Sequence, residues 1–263
     1  MSLALILGVT VFLSLAMMAA FAVQRRTRNA GWVDAFWTFA LGIAGVGYAL
    51  AALARGTAPR APLVGLLAAA WSLRLGLYIV GRTRSGAEDS RYAQFRREWG
   101  KDFDRRMFWF LQIQAGAAAL LALCMGLAAS NPAPLGLRDR VAVLVLGASV
   151  LGAGLADAEL GRFRADPANR GLVCDRGLWA RSRHPNYFFE WLGWCAYPLF
   201  AISAAHPIGW VALSGPAFMY WLLVYVSGIP PLETQMLRSR GELYRAYQAR
   251  TPAFFPSLFR KPQ

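Results

Sequence analysis

Arg181, Ser182, Arg183, His184, Pro185, Asn186, Tyr187, Phe188, Phe189 and Glu190 run consecutively, bringing cations, a histidine, an amide and a carboxylate to the start of an apolar segment. Polarity at such a boundary calls for a ligand or for a tight internal network. Pro185 reads as the first residue of a helix, where its missing N–H costs nothing, and the next backbone N–H groups then face a basic loop. A helix start flanked by Arg181 and Arg183 suits an anion, and we read it as the phosphate end of a cofactor site. Asn186 and Glu190 lie four apart on one face with Tyr187 beside them, so amide and carboxylate point the same way. The plainer alternative is an Arg, Glu and Asn network that only closes the helix end.

Other charges lie within apolar segments, where each costs about 2.5–3.5 kcal/mol on insertion scales and so needs a partner or a use. These are Asp34, Arg74, Asp157, Glu159, Glu190 and, at the exit of the last segment, Glu233. Trp71, Arg74 and Tyr78 share a helix face at i, i+3 and i+7, offering a stacking ring, a cation and a phenol. Asp157 and Arg164 are two turns apart on one face. They suit a ribose or adenosine hydroxyl and a phosphate, or equally an interhelical salt bridge. Asp34 stands among Trp32, Phe36 and Trp37. A buried protonated acid could donate to a substrate carbonyl, while helix capping or pairing with an arginine is equally open.

The elements that must position these groups are membrane helices. An apolar fraction of 57% and a mean hydropathy of +0.36 exceed what a soluble chain of this length carries. Apolar runs of about 20 residues predict seven spans, at 2–23, 32–53, 61–81, 108–128, 141–160, 186–204 and 208–228. If Arg25, Arg26 and Arg28 are cytoplasmic, alternation places every one of the 28 basic residues except Arg55, Arg60, Arg74, Arg138 and Arg140 on that side. The positive-inside bias thus puts the N-terminus outside and the C-terminus in the cytoplasm. The reading is an all-α polytopic protein, one membrane domain over 1–263, multi-pass in a bacterial inner membrane or, in a eukaryote, the endoplasmic reticulum.

The net charge of +14 is distributed over loops and helix ends. It therefore reflects topology and anionic headgroups, not a nucleic-acid-binding domain. The first segment has no basic lead and no cleavage site followed by a soluble domain, so it reads as a retained helix. Residues 82–107 carry Tyr92, Phe95, Trp99 and Phe103 on one stripe and predict an interfacial helix, either an anchor or a lid. Cys124, Cys174 and Cys195 are unpaired in spacing, and His184 and His206 are the only histidines, so no disulfide framework or metal site is expected. There is no Rossmann glycine pattern, Walker loop or nucleophile elbow. A cofactor must be held by the helices and basic loops.

Asp157, Arg164 and the Arg181–Glu190 run, followed by Pro231-Leu-Glu-Thr234 and the stretch from Tyr247 to Pro256, resemble the steroid 5-alpha-reductase family, in the manner of a bacterial DUF1295-like member. The resemblance is strong from about residue 140 onward and faint before residue 60. It implies seven membrane helices, NADPH bound from the cytoplasm, and hydride transfer to the beta carbon of a 3-oxo-4-ene steroid or similar lipophilic enone. The family's cofactor-binding Asp, Arg, Asn and Glu fall on Asp157, Arg164, Asn186 and Glu190, and its third-span Arg and Tyr on Arg74 and Tyr78. With these, Asn169, Arg170, Arg181, His184, Tyr187 and Glu233 are expected around the nucleotide. Where the steroid enzymes have a third-span Tyr this chain has Trp71, and their second-span Glu has only Asp34 as a substitute.

The expected catalytic set is Asp34, Trp71 and Glu190, and the expected substrate contacts are Trp32, Asp34, Trp37 and Trp71. The implied partners are a lipophilic small molecule and membrane lipid, with no nucleic acid and no obligatory protein partner. The same run is similar to isoprenylcysteine carboxyl methyltransferases, which use S-adenosylmethionine. It is also similar to the sterol C14 and delta-7 reductases. The methyltransferases show paired Glu residues where Glu233 is followed by Thr234, and the sterol reductases have an Asp in place of Glu190. A non-catalytic lipid-binding or transport protein on the same scaffold is a further alternative.

Overall fold

The computed structural model describes residues 1–56, 58–84 and 90–257, all-helical and without a strand among them. Thr57, and Arg260 and Lys261 of the C-terminal basic stretch, lie outside the described residues. Ten α-helices are described: α1 Leu3–Thr27, α2 Gly31–Leu53, α3 Ala61–Arg84, α4 Ser90–Trp99, α5 Phe103–Ala129, α6 Leu137–Ala165, α7 Pro185–Ala201, α8 Ser214–Trp221, α9 Ile229–Arg240 and α10 Glu242–Arg250.

Among the described residues six helical stretches are long and apolar enough to cross a membrane: 3–27, 31–53, 61–84, 91–129, 137–165 and 207–240. The protein is thus a multi-pass membrane protein in composition and helix length. The expected span at 186–204 coincides with α7, a helix of 17 residues with Pro198 inside it. At ~1.5 Å per residue it covers about 26 Å, short of the ~30 Å hydrocarbon core. The fourth span also differs from expectation. α4, a 3₁₀ turn at Gly100–Asp102 and α5 continue into one another, so the helical stretch is far longer than 108–128.

The chain forms two compact units. Residues 1–140 and 197–215 make unit 1, and 141–196 with 216–263 make unit 2. In unit 1, α2 and α3 pack most closely, and small residues allow it. A Cβ at Gly42 would overlap Ser72, whose hydroxyl donates to the Thr38 carbonyl at 3.0 Å. Leu13, Met17, Leu41, Tyr48, Met107, Leu111, Leu121 and Met125 fill the core of the unit. Leu7, Leu15, Leu66, Leu77 and Ile113 point outward, a surface that only a hydrocarbon solvent tolerates at this density.

The loop end of unit 1 is closed by a buried ion pair. Arg60 and Asp139 are 5% and 4% exposed and meet at 2.5 and 2.9 Å, and Arg60 also donates to the carbonyls of Asn131, Ala133 and Pro134. Asn131 in turn donates to the carbonyls of Phe200 and Ala201 and accepts from Ser203. Every charge there has its opposite, which makes burial tolerable.

Unit 2 is built on α6 and the first part of α7, joined by a loop containing 3₁₀ turns at Pro167–Asn169 and Gly177–Ala180. Gly177 takes φ +60°, and a Cβ there would strike the Glu159 carboxylate, which accepts the Leu178 N–H at 2.9 Å. Only glycine satisfies both demands. A π-helical turn at Leu222–Val226 interrupts the last long helical stretch before α9.

Candidate functional site

The Arg181–Glu190 run is first of all a clasp. Ser182 is fully buried, and its hydroxyl donates to the carbonyls of Ala253 and Phe254 while accepting the His184 N–H. Arg183 donates to Glu233 at 2.6 Å and to the carbonyls of Gln248 and Thr251, and its own N–H reaches the Pro252 carbonyl. The imidazole of His184 lies 3.2 Å from the same Glu233 oxygen, which also accepts from the Tyr244 hydroxyl, and Gln248 donates to the other oxygen at 2.8 Å. Tyr247 donates to the Trp179 and Ser182 carbonyls. Burial pushes the phenols of Tyr244 and Tyr247 above their usual range, so both stay donors.

Two sequence expectations change in this light. Glu233, expected as a nucleotide contact, is surrounded by the side chains of Arg183, His184, Tyr244 and Gln248, and serves as the anchor of the clasp. The start of α7, expected as an open anion site, is partly filled by its own chain. Asn186 accepts the Tyr187 N–H, and the His184 carbonyl accepts the Phe188 N–H. Burial also lowers the pKa of His184 below 6.5, with Glu233 opposing the shift, so its ring is neutral near pH 7.

What the clasp leaves in place is an inner pair. Asp157, 7% exposed on α6, accepts from the Asn186 amide at 3.1 Å. The Trp179 indole donates to the Ala156 carbonyl one residue away, fixing the loop against this stretch of α6. Tyr187 stacks on His184 with ring centroids 5.6 Å apart and planes 13° from parallel. Glu190 is half-buried one turn along α7 from Asn186. Asp157 and Asn186, both expected around a nucleotide, are brought together by an amide-to-carboxylate bond that spacing alone could not show.

Outside this pair the surface is cationic. Arg164, Arg170 and Arg181 are exposed, as is Arg176, which sequence reasoning passed over. Asn169 holds the end of α6, donating to the Phe163 carbonyl and to Asp166 and accepting from Arg176. Its side chain is thus spent on loop closure. A carboxylate within and guanidinium groups without form a gradient suited to a ligand with hydroxyls at one end and phosphates at the other.

The remaining expected residues belong to unit 1. Asp34 accepts from Arg91 at 2.6 Å and from the Tyr92 hydroxyl at 2.7 Å, with Arg82 at 3.8 Å. Both oxygens act as acceptors, so the arginine-paired alternative describes its geometry. Arg91 and Tyr92 come from α4, whose Phe95 stacks on Trp99 at 4.5 Å. Trp37 donates its indole N–H to the Gln114 carbonyl at 3.1 Å, Trp32 is half-buried and Trp71 is 5% exposed. On the same face of α3, Arg74 is half-buried and Tyr78 is 37% exposed.

A family model described as a protein of unknown function, DUF1295, matches residues 20–251. An uncharacterized protein of Schizosaccharomyces pombe is 28% identical over 267 residues, covering 88% of this chain and 74% of the relative. No solved structure matches the chain.

Proposed function

The chain belongs to the DUF1295 family, and on that premise we propose that it is a membrane oxidoreductase that uses NADPH to reduce the 4,5 double bond of 3-oxo-4-ene steroids or similar lipophilic enones. Association of the family with steroid 5-alpha-reductase-like proteins supports the reaction class. The observation that carries the proposal is the bond from half-buried Asn186 to buried Asp157, together with exposed Arg164, Arg170 and Arg181.

The donor set fits a dinucleotide. The Asp157 carboxylate is an acceptor for ribose or adenosine hydroxyls, Asn186 supplies amide donors and acceptors, and the arginines pair phosphates. When bound, NADPH supplies the hydride, and the protein contributes orientation and electrostatics. Asp157 and Asn186 would hold the sugar, while Tyr187, braced by His184, presents a ring and a hydroxyl beside them. Glu190 shares that face of α7 and would orient the inner end of the ligand. The Glu233 clasp keeps the start of α7 in register, which is a positioning role. In the proposed orientation these loops face the cytoplasm, where NADPH is supplied, and the C-terminus is cytoplasmic.

Melting temperature of the purified protein in detergent tests the cofactor. Stabilisation by NADPH and not by S-adenosylmethionine is expected. Stabilisation by S-adenosylmethionine alone would replace the reductase with a methyltransferase. NADPH oxidation dependent on an added 3-oxo-4-ene steroid tests the reaction, and no oxidation with any enone would leave a binding protein.

A further inference from the structure

We propose that Arg176 is the residue that recognises the 2′-phosphate of NADPH, so that the loop between α6 and α7 selects NADPH over NADH; this rests on the NADPH reading above. Arg176 is exposed, yet its guanidinium is held in place. Its carbon lies 4.8 Å from the centroid of the Phe163 ring, and Nη2 donates to the Asn169 Oδ1 at 3.1 Å. Asn169 is itself fixed to the end of α6 through the Phe163 carbonyl at 2.9 Å. One face and one edge of the guanidinium are thus committed, and the residue as a whole is exposed.

The neighbouring acids do not compete for those donors. Asp166 accepts the Ala168 N–H and the Asn169 amide, Asp175 pairs with Arg250, and Glu159, beside Gly177, accepts the Leu178 N–H. Among the described residues no carboxylate forms an ion pair with Arg176. An arginine held this way by a ring and an amide, without an acid, suits an external anion, and its planar fork suits a monoester phosphate with several oxygens. Its ordering entropy is already spent, which favours affinity.

Position argues for the 2′-phosphate over the diphosphate. Asp157 is buried, whereas Arg176 is exposed and its guanidinium lies over Phe163, near the end of α6. A doubly charged monoester is the most costly part of the cofactor to desolvate. It therefore belongs at the solvent end, with the nicotinamide inward.

Arg176→Gln is tested by equilibrium binding of NADPH, NADH, 2′,5′-ADP and 5′-AMP to the purified full chain. The expected result is a loss of about tenfold or more for NADPH and 2′,5′-ADP, the scale of a charge-assisted hydrogen-bonded contact, with NADH and 5′-AMP unchanged. Phe163→Leu keeps the charge but removes the platform, and a smaller loss confined to the same two ligands is expected. Equal weakening of NADPH and NADH would make Arg176 a loop staple and overturn the proposal. A lipid-headgroup site would show as stabilisation by phosphatidylglycerol over phosphatidylcholine nanodiscs that Arg176→Gln abolishes while NADPH affinity stays the same, and that too overturns it. If the unaltered protein binds neither dinucleotide, the oxidoreductase reading fails with it; if it binds both equally well, only the 2′-phosphate assignment fails.

Discussion

His184 makes the state of the clasp depend on pH. Burial holds its folded pKa below the 6.5 of the unfolded side chain, so the neutral ring contributes fully above about pH 6.5. That contribution is lost as pH falls from there through the folded value, because the unfolded chain then binds the extra proton. Melting temperature should drop between pH 7 and pH 5, and His184→Gln should flatten the drop. Asp157 makes a different prediction, because it is buried against Asn186 and is proposed to accept from the cofactor. Asp157→Ala should weaken NADPH by about tenfold or more, read by equilibrium binding, since a buried donor is left without its acceptor. Asp34→Asn removes the charge opposite Arg91 but keeps an acceptor for Tyr92. It should cost about 1–3 kcal/mol of stability in chemical unfolding, as expected for a hydrogen bond to a charged group.

At the scale of elements, one carboxylate ties α9, α10 and the loop before α7 together. Glu233 on α9 gathers Arg183 and His184 from the loop before α7, and Tyr244 and Gln248 from α10. Glu233→Gln leaves Arg183, whose side chain is 11% exposed, without a counter-charge. The loss should be about 2–4 kcal/mol, with faster proteolysis of the C-terminal segment as the readout. The turn at Gly177 is constrained by two things at once, a positive φ and the Glu159 carboxylate. Gly177→Ala should therefore destabilise unit 2 by about 1–3 kcal/mol, more than an ordinary helix substitution.

At the scale of the whole molecule, long apolar helices and the basic loops were legible in the sequence because each depends on local composition and on the solvent. So was the shared face of Asn186 and Glu190, which helical periodicity dictates. What periodicity could not supply were partners distant in the chain. Arg183 and Glu233 are 50 residues apart, and Asp34 and Arg91 are 57 apart. Whether such a charge meets a ligand or another side chain depends on how the helices pack, which no window of sequence contains. A run that looked like an open anion site therefore closed on its own C-terminal segment. Arg176, unremarkable as one of many basic residues, acquired a fixed orientation only once Phe163 and Asn169 were brought beneath it. Composition and periodicity by themselves determined a helical membrane chain with a polar, basic set of motifs. The tertiary structure decided which of those polar groups are spent on one another, because a buried charge is satisfied by whichever opposite group packing places within reach.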